Sequence, residues 1–354
     1  YNDEKFKLTV PMKNHTDAMT HVMAALTDAE HGVIGSTDEI SAVGHRVVHG
    51  GEELTKSMRV TESLIHYLET IVPINPLHGP PALKGVEACK ALMPTVPQVG
   101  VFDSSFYGNM PEESYVYAVP YEWTEKYGVR RYGFHGTSHK YVSRRAAEYL
   151  GKPVEELKLV ICHLGNGSSI SAVKGGKIVD TSMGFTPVDG LIMGTRCGYI
   201  DPGVISFIAS KENLSTAEWW DLINKSSGVA GMSGVSSDMR DVRTARDNGN
   251  ERAALALEAY DYRIRKEVGA YAAAMGGVDV IVFTGGVGEN QANARTGSTE
   301  GLEYMGVKVD PAKNNIRGIE AIISADDSKV KVVVIPTDEE LMIASDTMDI
   351  LSAK

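Results

Sequence analysis

Residues 159–181 constrain this chain more than any other stretch. A short apolar run, Leu159-Val160-Ile161-Cys162, leads into HLGNGSS at His163–Ser169. An alternating run, Ser169-Ile170-Ser171-Ala172-Val173, follows, then a Gly175-Gly176 turn and a third run, Lys177–Thr181. Short β-rich runs separated by glycine turns read as consecutive strands. Gly165 and Gly167 let the first turn take unusual backbone angles and let a ligand come close. Successive N–H groups in such a turn can form a concave nest for an anion, with His163, Asn166 and two serine hydroxyls around it. A polar hairpin turn with a satisfied histidine is the competing reading of the same residues.

The rest of the chain alternates helical and strand patterns. Thr16–Leu26 carries Ala18, Val22, Ala25 and Leu26 on one helical face. Ile40–Val43 reads as a strand running into GHRVVHGG, where Arg46 can grip a carboxylate or phosphate through two parallel hydrogen bonds, or pair with a neighbouring acid. Thr61 is placed to cap a helix with Leu64, Ile65 and Leu68 inward. Pro73–Pro81, PINPLHGPP, reads as a rigid connector holding Leu77 and His78. Val99–Phe102 is a strand ending at Asp103, and an acid there is a site position or an ordinary turn residue.

RRYGFHGTSH at Arg130–His139 precedes a helix through Leu150 that Thr137 or Ser138 would cap. A helix N-terminus beside His135 suits anionic groups. Gly184–Gly203 is a long Gly/Pro loop with Arg196 and Asp201, and its apolar content argues for order. Ser215–Glu218 is a capping box before a helix with Trp219, Trp220, Leu222 and Ile223. Asp238 and Arg240 lie close together, as a site or as a solvated ion pair. Arg252–Met275 reads as a long Ala-rich helix with apolar residues most of the way round. Val278–Thr284 is a buried strand feeding GGVGEN, a geometry that suits a nucleotide phosphate or ribose. Lys331–Ile335 is another buried strand. Thr337 and Glu340 can form a capping box on the last helix, which leaves Glu339 to hold a metal ion through water.

These patterns predict an α/β fold with a cleft at the strand ends. A length of 354 residues fits about two domains. The net charge of −11 argues against a general binder of nucleic acid or anionic membrane, so an anionic ligand needs a local cluster of donors. No apolar run reaches the length of a bilayer span. Cys89, Cys162 and Cys197 lack metal-type spacing and fit a reducing cytoplasm.

Taken together and in order, GHRVVHGG, PLHGPP, VFD, YGFHGTSH, CHLGNGSS, GFTPVDGLIMGTRCG, TGGVGEN and IPTDEEL resemble the acetate kinase family over nearly the whole chain. That family shares its fold with actin, sugar kinases and heat-shock chaperone ATPases. The resemblance implies two actin-like, ribonuclease H-like domains with a nucleotide cleft between them, the first made of 1–103 plus 341–354 and the second of 104–340. It implies ATP and acetate as substrates, Mg²⁺ (or Mn²⁺) as cofactor, and a homodimer formed through the second domain.

By the same resemblance, Arg46 and Arg196 hold the carboxylate and the transferring phosphoryl group, and His135 stabilises its oxygens. Asp103 and Glu339 organise the metal and its waters. Val48, Leu77 and Pro187 line the acetate methyl pocket. His163, Leu164, Gly165, Asn166 and Gly167 sit at the nucleotide phosphates. Asp238, Met239 and Arg240, with Gly285, Gly286, Val287, Gly288, Glu289 and Asn290, surround the rest of the nucleotide. The family opens with a strand and an Asn-x-Gly-Ser-Ser-Ser phosphate loop, and the match here begins after it. Gly79, Tyr107 and Asp338 stand where the family favours Asn, His and Asn. Kinases of propionate or butyrate, and a non-catalytic nucleotide binder, are the alternative readings.

Overall fold

The computed structural model describes residues 7–12, 14–75 and 78–353. The chain forms two compact units, Tyr1–Ser105 with Glu340–Lys354, and Phe106–Glu339. Among the described residues no helix is long and apolar enough to cross a membrane.

The first unit is built on three strands, β1 (Val43–Val47), β2 (Met58–Arg59) and β3 (Gln98–Phe102), in the order β1-β3-β2. β1 runs parallel to β3, pairing Arg46 with Val101 and Val47 with Phe102, and β2 is antiparallel to β3. Val47, Leu64, Leu68 and Phe102 form its core, so Thr61 caps a helix (Glu62–Thr70) whose buried residues are Leu64 and Leu68. Ile65 is only partly buried.

Two expectations shift here. The strand expected at Ile40–Val43 lies at Val43–Val47, because the parallel partner takes up Val43 to Val47. The PINPLHGPP connector ends early, since Pro80 and Pro81 sit in the first turn of a helix, Gly79–Leu92. There proline's fixed φ is pre-organised and its missing N–H had no partner to lose.

The last helix, Glu339–Ser352, returns to this unit from residue 340 onward. It lies directly on β1: a Cβ added to Gly44 would sit 2.5 Å from Ile343 Cγ2 and 2.6 Å from Thr347 Oγ1. Ser57 Oγ donates to Asp346 Oδ2 at 3.0 Å on the same helix.

The second unit holds a six-stranded sheet of β4 (Lys158–Leu164), β5 (Ser168–Lys174), β6 (Lys177–Thr181), β7 (Val280–Thr284), β8 (Ala321–Ile322) and β9 (Lys331–Val334). Its order is β6-β5-β4-β7-β9-β8. β4, β5 and β6 form the antiparallel meander that the glycine turns predict, and β7 and β9 continue parallel to β4. The apolar character of β4 follows from its two covered faces. Val160, Cys162 and Leu164 point to a core shared with Leu257, Tyr260, Ile264 and Val268 of the long helix Glu251–Met275. Leu159 and Ile161 point to the opposite core, with Val142, Ala146 and Ala147 of the helix Gly136–Tyr149. Each such aliphatic side chain contributes roughly 1.5–3 kcal/mol by leaving water. The long helix is one-sided, with Leu255 and Tyr262 more than half exposed.

Two further capping expectations are corrected. His135 holds the N-cap position of the helix Gly136–Tyr149 in the left-handed region (φ 58°) without a side-chain capping bond, and Thr137 and Ser138 lie inside the first turn. Thr337 donates its N–H to Glu289 Oε1 at 3.1 Å, and its hydroxyl lies 2.8 Å from Ser138 Oγ, so it is engaged inside the second unit instead of in a box with Glu340.

Candidate active site

In the second unit the β4–β5 turn is the centre of the arrangement. Gly165 N donates to Gly167 O at 3.0 Å and closes the turn. His135 and Arg196 come over it from two different loops. A Cβ added to Gly167 would lie 3.3 Å from His135 Nε2 and 3.4 Å from Arg196 Nη1. Glycine at 167 therefore lets a histidine and a guanidinium approach one turn.

Each of these side chains is held from behind. His135 Nδ1 is 2.9 Å from Ser169 Oγ, and its ring stacks on His163 with centroids 4.3 Å apart. His163 Nδ1 is 2.8 Å from Ser138 Oγ. Arg196 Nη1 donates to the Pro187 carbonyl at 3.3 Å, so Pro187 and Arg196 are brought together. Burial pulls the Arg196 pKa below its ordinary value, the mark of a cation with little water around it.

The loop between β6 and the helix Pro202–Glu212 lacks regular structure but is pinned. Gly194 N donates to Asn166 O at 2.9 Å, Cys197 N to Ile223 O at 3.0 Å, and Val229 N to Met193 O at 2.9 Å. A Cβ at Gly194 would fall 2.0 Å from Asn166 Oδ1, so this glycine too serves a close approach.

Beside the turn lies a cavity of about 510 Å³, the size of a small-molecule site. Gly165, Asn166, Asp238, Met239, Arg240, Gly286, Val287 and Asn290, each singled out from the sequence, line it. Asp238 caps the helix Met239–Asp247 and grips Arg240 with both oxygens, Oδ2 lying 2.5 Å from Nη2. The Arg240 guanidinium holds the Asp238 carboxyl down at about 2. Gly286 offers its backbone, since nothing lies within 4 Å of a Cβ built there.

Other residues expected at the nucleotide have different surroundings. The Leu164 side chain is fully buried in the core. Gly285 (φ 75°) serves close packing against the Leu164 backbone, whereas a Cβ at Gly288 would meet Phe283 and the Cys162 carbonyl at ordinary contact distance. Glu289 Oε1 accepts from the N–H groups of Gly285 and Thr337, which makes it a tie between β7 and the segment after β9. His163 and Gly167 stand with the His135 group, outside the cavity lining.

Sequence reasoning missed Gly194, Ser237, Tyr260, Gln291 and Arg317 at the cavity wall. Ser237 and Gln291 adjoin chosen residues and were one step away. Tyr260 lies on the buried face of the long helix, and Arg317 carries no local pattern at all.

In the first unit Arg46 and Asp103 form a bidentate pair, with Nη2–Oδ2 at 2.7 Å and Nε–Oδ2 at 3.2 Å. Asp103 is 1% exposed and Arg46 about 40%. The pairing with a neighbouring acid, one of the two readings of Arg46, is therefore realised. Val48 follows β1 and is partly buried, and Leu77 lies outside the described residues. Glu339 begins the last helix. Among the described residues no group of three or more His, Cys, Asp or Glu is placed to hold a metal ion directly.

A family model described as the acetokinase family matches residues 1–345. An acetate kinase of Bacteroides fragilis is 58% identical over 350 residues, covering 99% of this chain and 88% of that protein. Among solved structures, the Porphyromonas gingivalis acetate kinase has a TM-score of 0.94 at 54% identity, over 99% of this chain and 88% of that one. A propionate kinase from Francisella tularensis has a TM-score of 0.88 at 40% identity, over 94% and 84%.

Proposed function

The chain belongs to the acetokinase family, and from that premise we propose that it catalyses ATP + acetate ⇌ ADP + acetyl phosphate with Mg²⁺. The family makes it a phosphotransferase with a carboxyl acceptor that uses a divalent metal. Support for the chemistry comes from one observation: His135 Nε2 and Arg196 Nη1 both reach the Gly167 turn, at the rim of a nucleotide-sized cavity.

An acetate carboxylate is ionised at neutral pH, with a pKa of about 4–5, so no general base is needed. The barrier is electrostatic, because an anion must attack a polyanion. The carboxylate oxygen attacks the γ-phosphorus and the bond to the β–γ bridging oxygen breaks, which leaves ADP. Arg196 and His135 stabilise the charge spread over the equatorial oxygens. In this reading Arg46, held by Asp103, takes the acetate carboxylate, and the methyl pocket stays what the resemblance implies for Val48 and Pro187. The lining residues of the cavity, Asp238 and Arg240 among them, take the nucleoside. Mg²⁺ supplies charge neutralisation at the phosphates when bound. By the resemblance Asp103 and Glu339 would hold it through its waters, in keeping with the ion's habit of keeping several waters and using one or two carboxylates.

Hydroxylamine trapping of the acyl phosphate tests this reading. With ATP, acetate and Mg²⁺ the purified enzyme is expected to give acetohydroxamate. ATP binding without hydroxamate would favour a non-catalytic nucleotide binder. The likeness to a propionate kinase makes propionate the rival substrate. One methylene in an apolar pocket discriminates by only ~1–3 kcal/mol, so the ratio of kcat/KM for the two acids decides between them. A homodimer and a cytoplasmic setting belong to the same proposal.

A further inference from the structure

The side chain of His139 lies one helical turn after His135 and is fully buried. Its Nε2 is 2.8 Å from Ser169 Oγ, the same oxygen that lies 2.9 Å from His135 Nδ1. Ser169 is itself fully buried. The other ring nitrogen of His139, Nδ1, is buried with no hydrogen-bond partner. Burial holds the His139 pKa well below the usual histidine range, so the ring is neutral and carries one proton.

One hydroxyl between two imidazoles has a single proton to give, so at least one ring must donate to it when both bonds are made. Were the His139 proton on Nδ1, a buried N–H would point at nothing. Orphaned buried N–H groups are rarer and costlier than an idle lone pair. The proton therefore sits on His139 Nε2 and is donated to Ser169 Oγ. Among the described residues the partners of Ser169 Oγ are these two ring nitrogens, so its own proton finds an acceptor only in His135 Nδ1. His135 in its neutral form must carry its own proton on Nε2, the atom aimed at the Gly167 turn.

We propose that His139, acting through Ser169, is a positioning residue that fixes His135 in the Nε2–H form and so presents a donor where the phosphoryl group is transferred. The catalytic consequence rests on the kinase reading above, whereas the tautomer does not. His139 itself touches no substrate.

The first test uses the intact wild-type enzyme. Two-bond ¹H–¹⁵N spectra of ¹⁵N-histidine-labelled protein at pH 7.5, with His135 assigned by its loss in His135→Asn, are expected to show a protonated Nε2 and a bare Nδ1. The reverse pattern, or a doubly protonated ring, would overturn the proposal even if acetohydroxamate forms. The second test compares variants that keep their melting temperature. His139→Phe and Ser169→Ala are each expected to lose roughly 10²-fold in kcat, the loss expected for one fixed donor, with both KM values little changed. The double variant is expected to lose no more than either single one, and His139→Gln, which retains an amide donor, to recover most of the rate. Equal losses in His139→Gln and His139→Phe, or additive losses in the double variant, would mean a packing role only. If His139→Phe fails to fold, the wild-type spectrum and Ser169→Ala decide alone.

Discussion

His135 and Asn213 are the non-glycine residues with positive φ among the described residues. An L-residue in that region gives up roughly 1–2 kcal/mol, and strain of this kind collects where a side chain must point in one direction. His135→Gly is expected to be more stable than His135→Ala by about 1 kcal/mol in urea unfolding, while both lack activity. Arg196→Ala is expected to lose about 10²–10³ in kcat, on the order of 3 kcal/mol, with its melting temperature retained. Arg46→Ala should behave differently, because it removes a bidentate cation from a carboxylate that is 1% exposed. Its melting temperature is expected to fall together with kcat. Adding Asp103→Asn should restore the first and not the second, by calorimetry and steady-state assay. Both members of that pair were readable as candidates from the sequence. Their partnership was not, since 57 residues separate them and only the register of β1 on β3 brings them together.

At the scale of elements, the meander β4–β6 was readable because burial on both faces leaves a continuous apolar signature and glycine marks the turns. The helix Gly79–Leu92 was not, because a Gly-Pro-Pro opening reads as a loop until the first turn is recognised as proline's natural place. The long helix Glu251–Met275 carries a hidden charge. Asp261 faces Arg243, Arg265 and Arg246, yet burial pushes its carboxyl up to about 7. A folded pKa above the unfolded value near 3.8 means the fold holds a proton that the unfolded chain releases. Stability from this group is thus complete below about pH 4 and lost progressively as pH rises to about 7, beyond which the loss is constant. Asp261→Asn is expected to raise the melting temperature by an amount that grows from pH 4 to 7 and then levels off. A gain independent of pH across that window would contradict the assignment.

For the whole molecule, surface chemistry bears on assembly. Phe207, Leu255 and Tyr262 of the second unit are each more than half exposed. Light scattering is expected to give twice the mass of one 38.2 kDa chain. A mass equal to one chain at every concentration would remove the dimer from the proposal.

The close seat of Ile343 and Thr347 on Gly44 has a consequence for biosynthesis. β1 leaves the ribosome before the helix that covers it, and the whole second unit is made between them. The first unit must wait, incompletely covered, through the synthesis of everything between. A stop codon anywhere before the helix Glu339–Ser352 would therefore leave β1 without its cover.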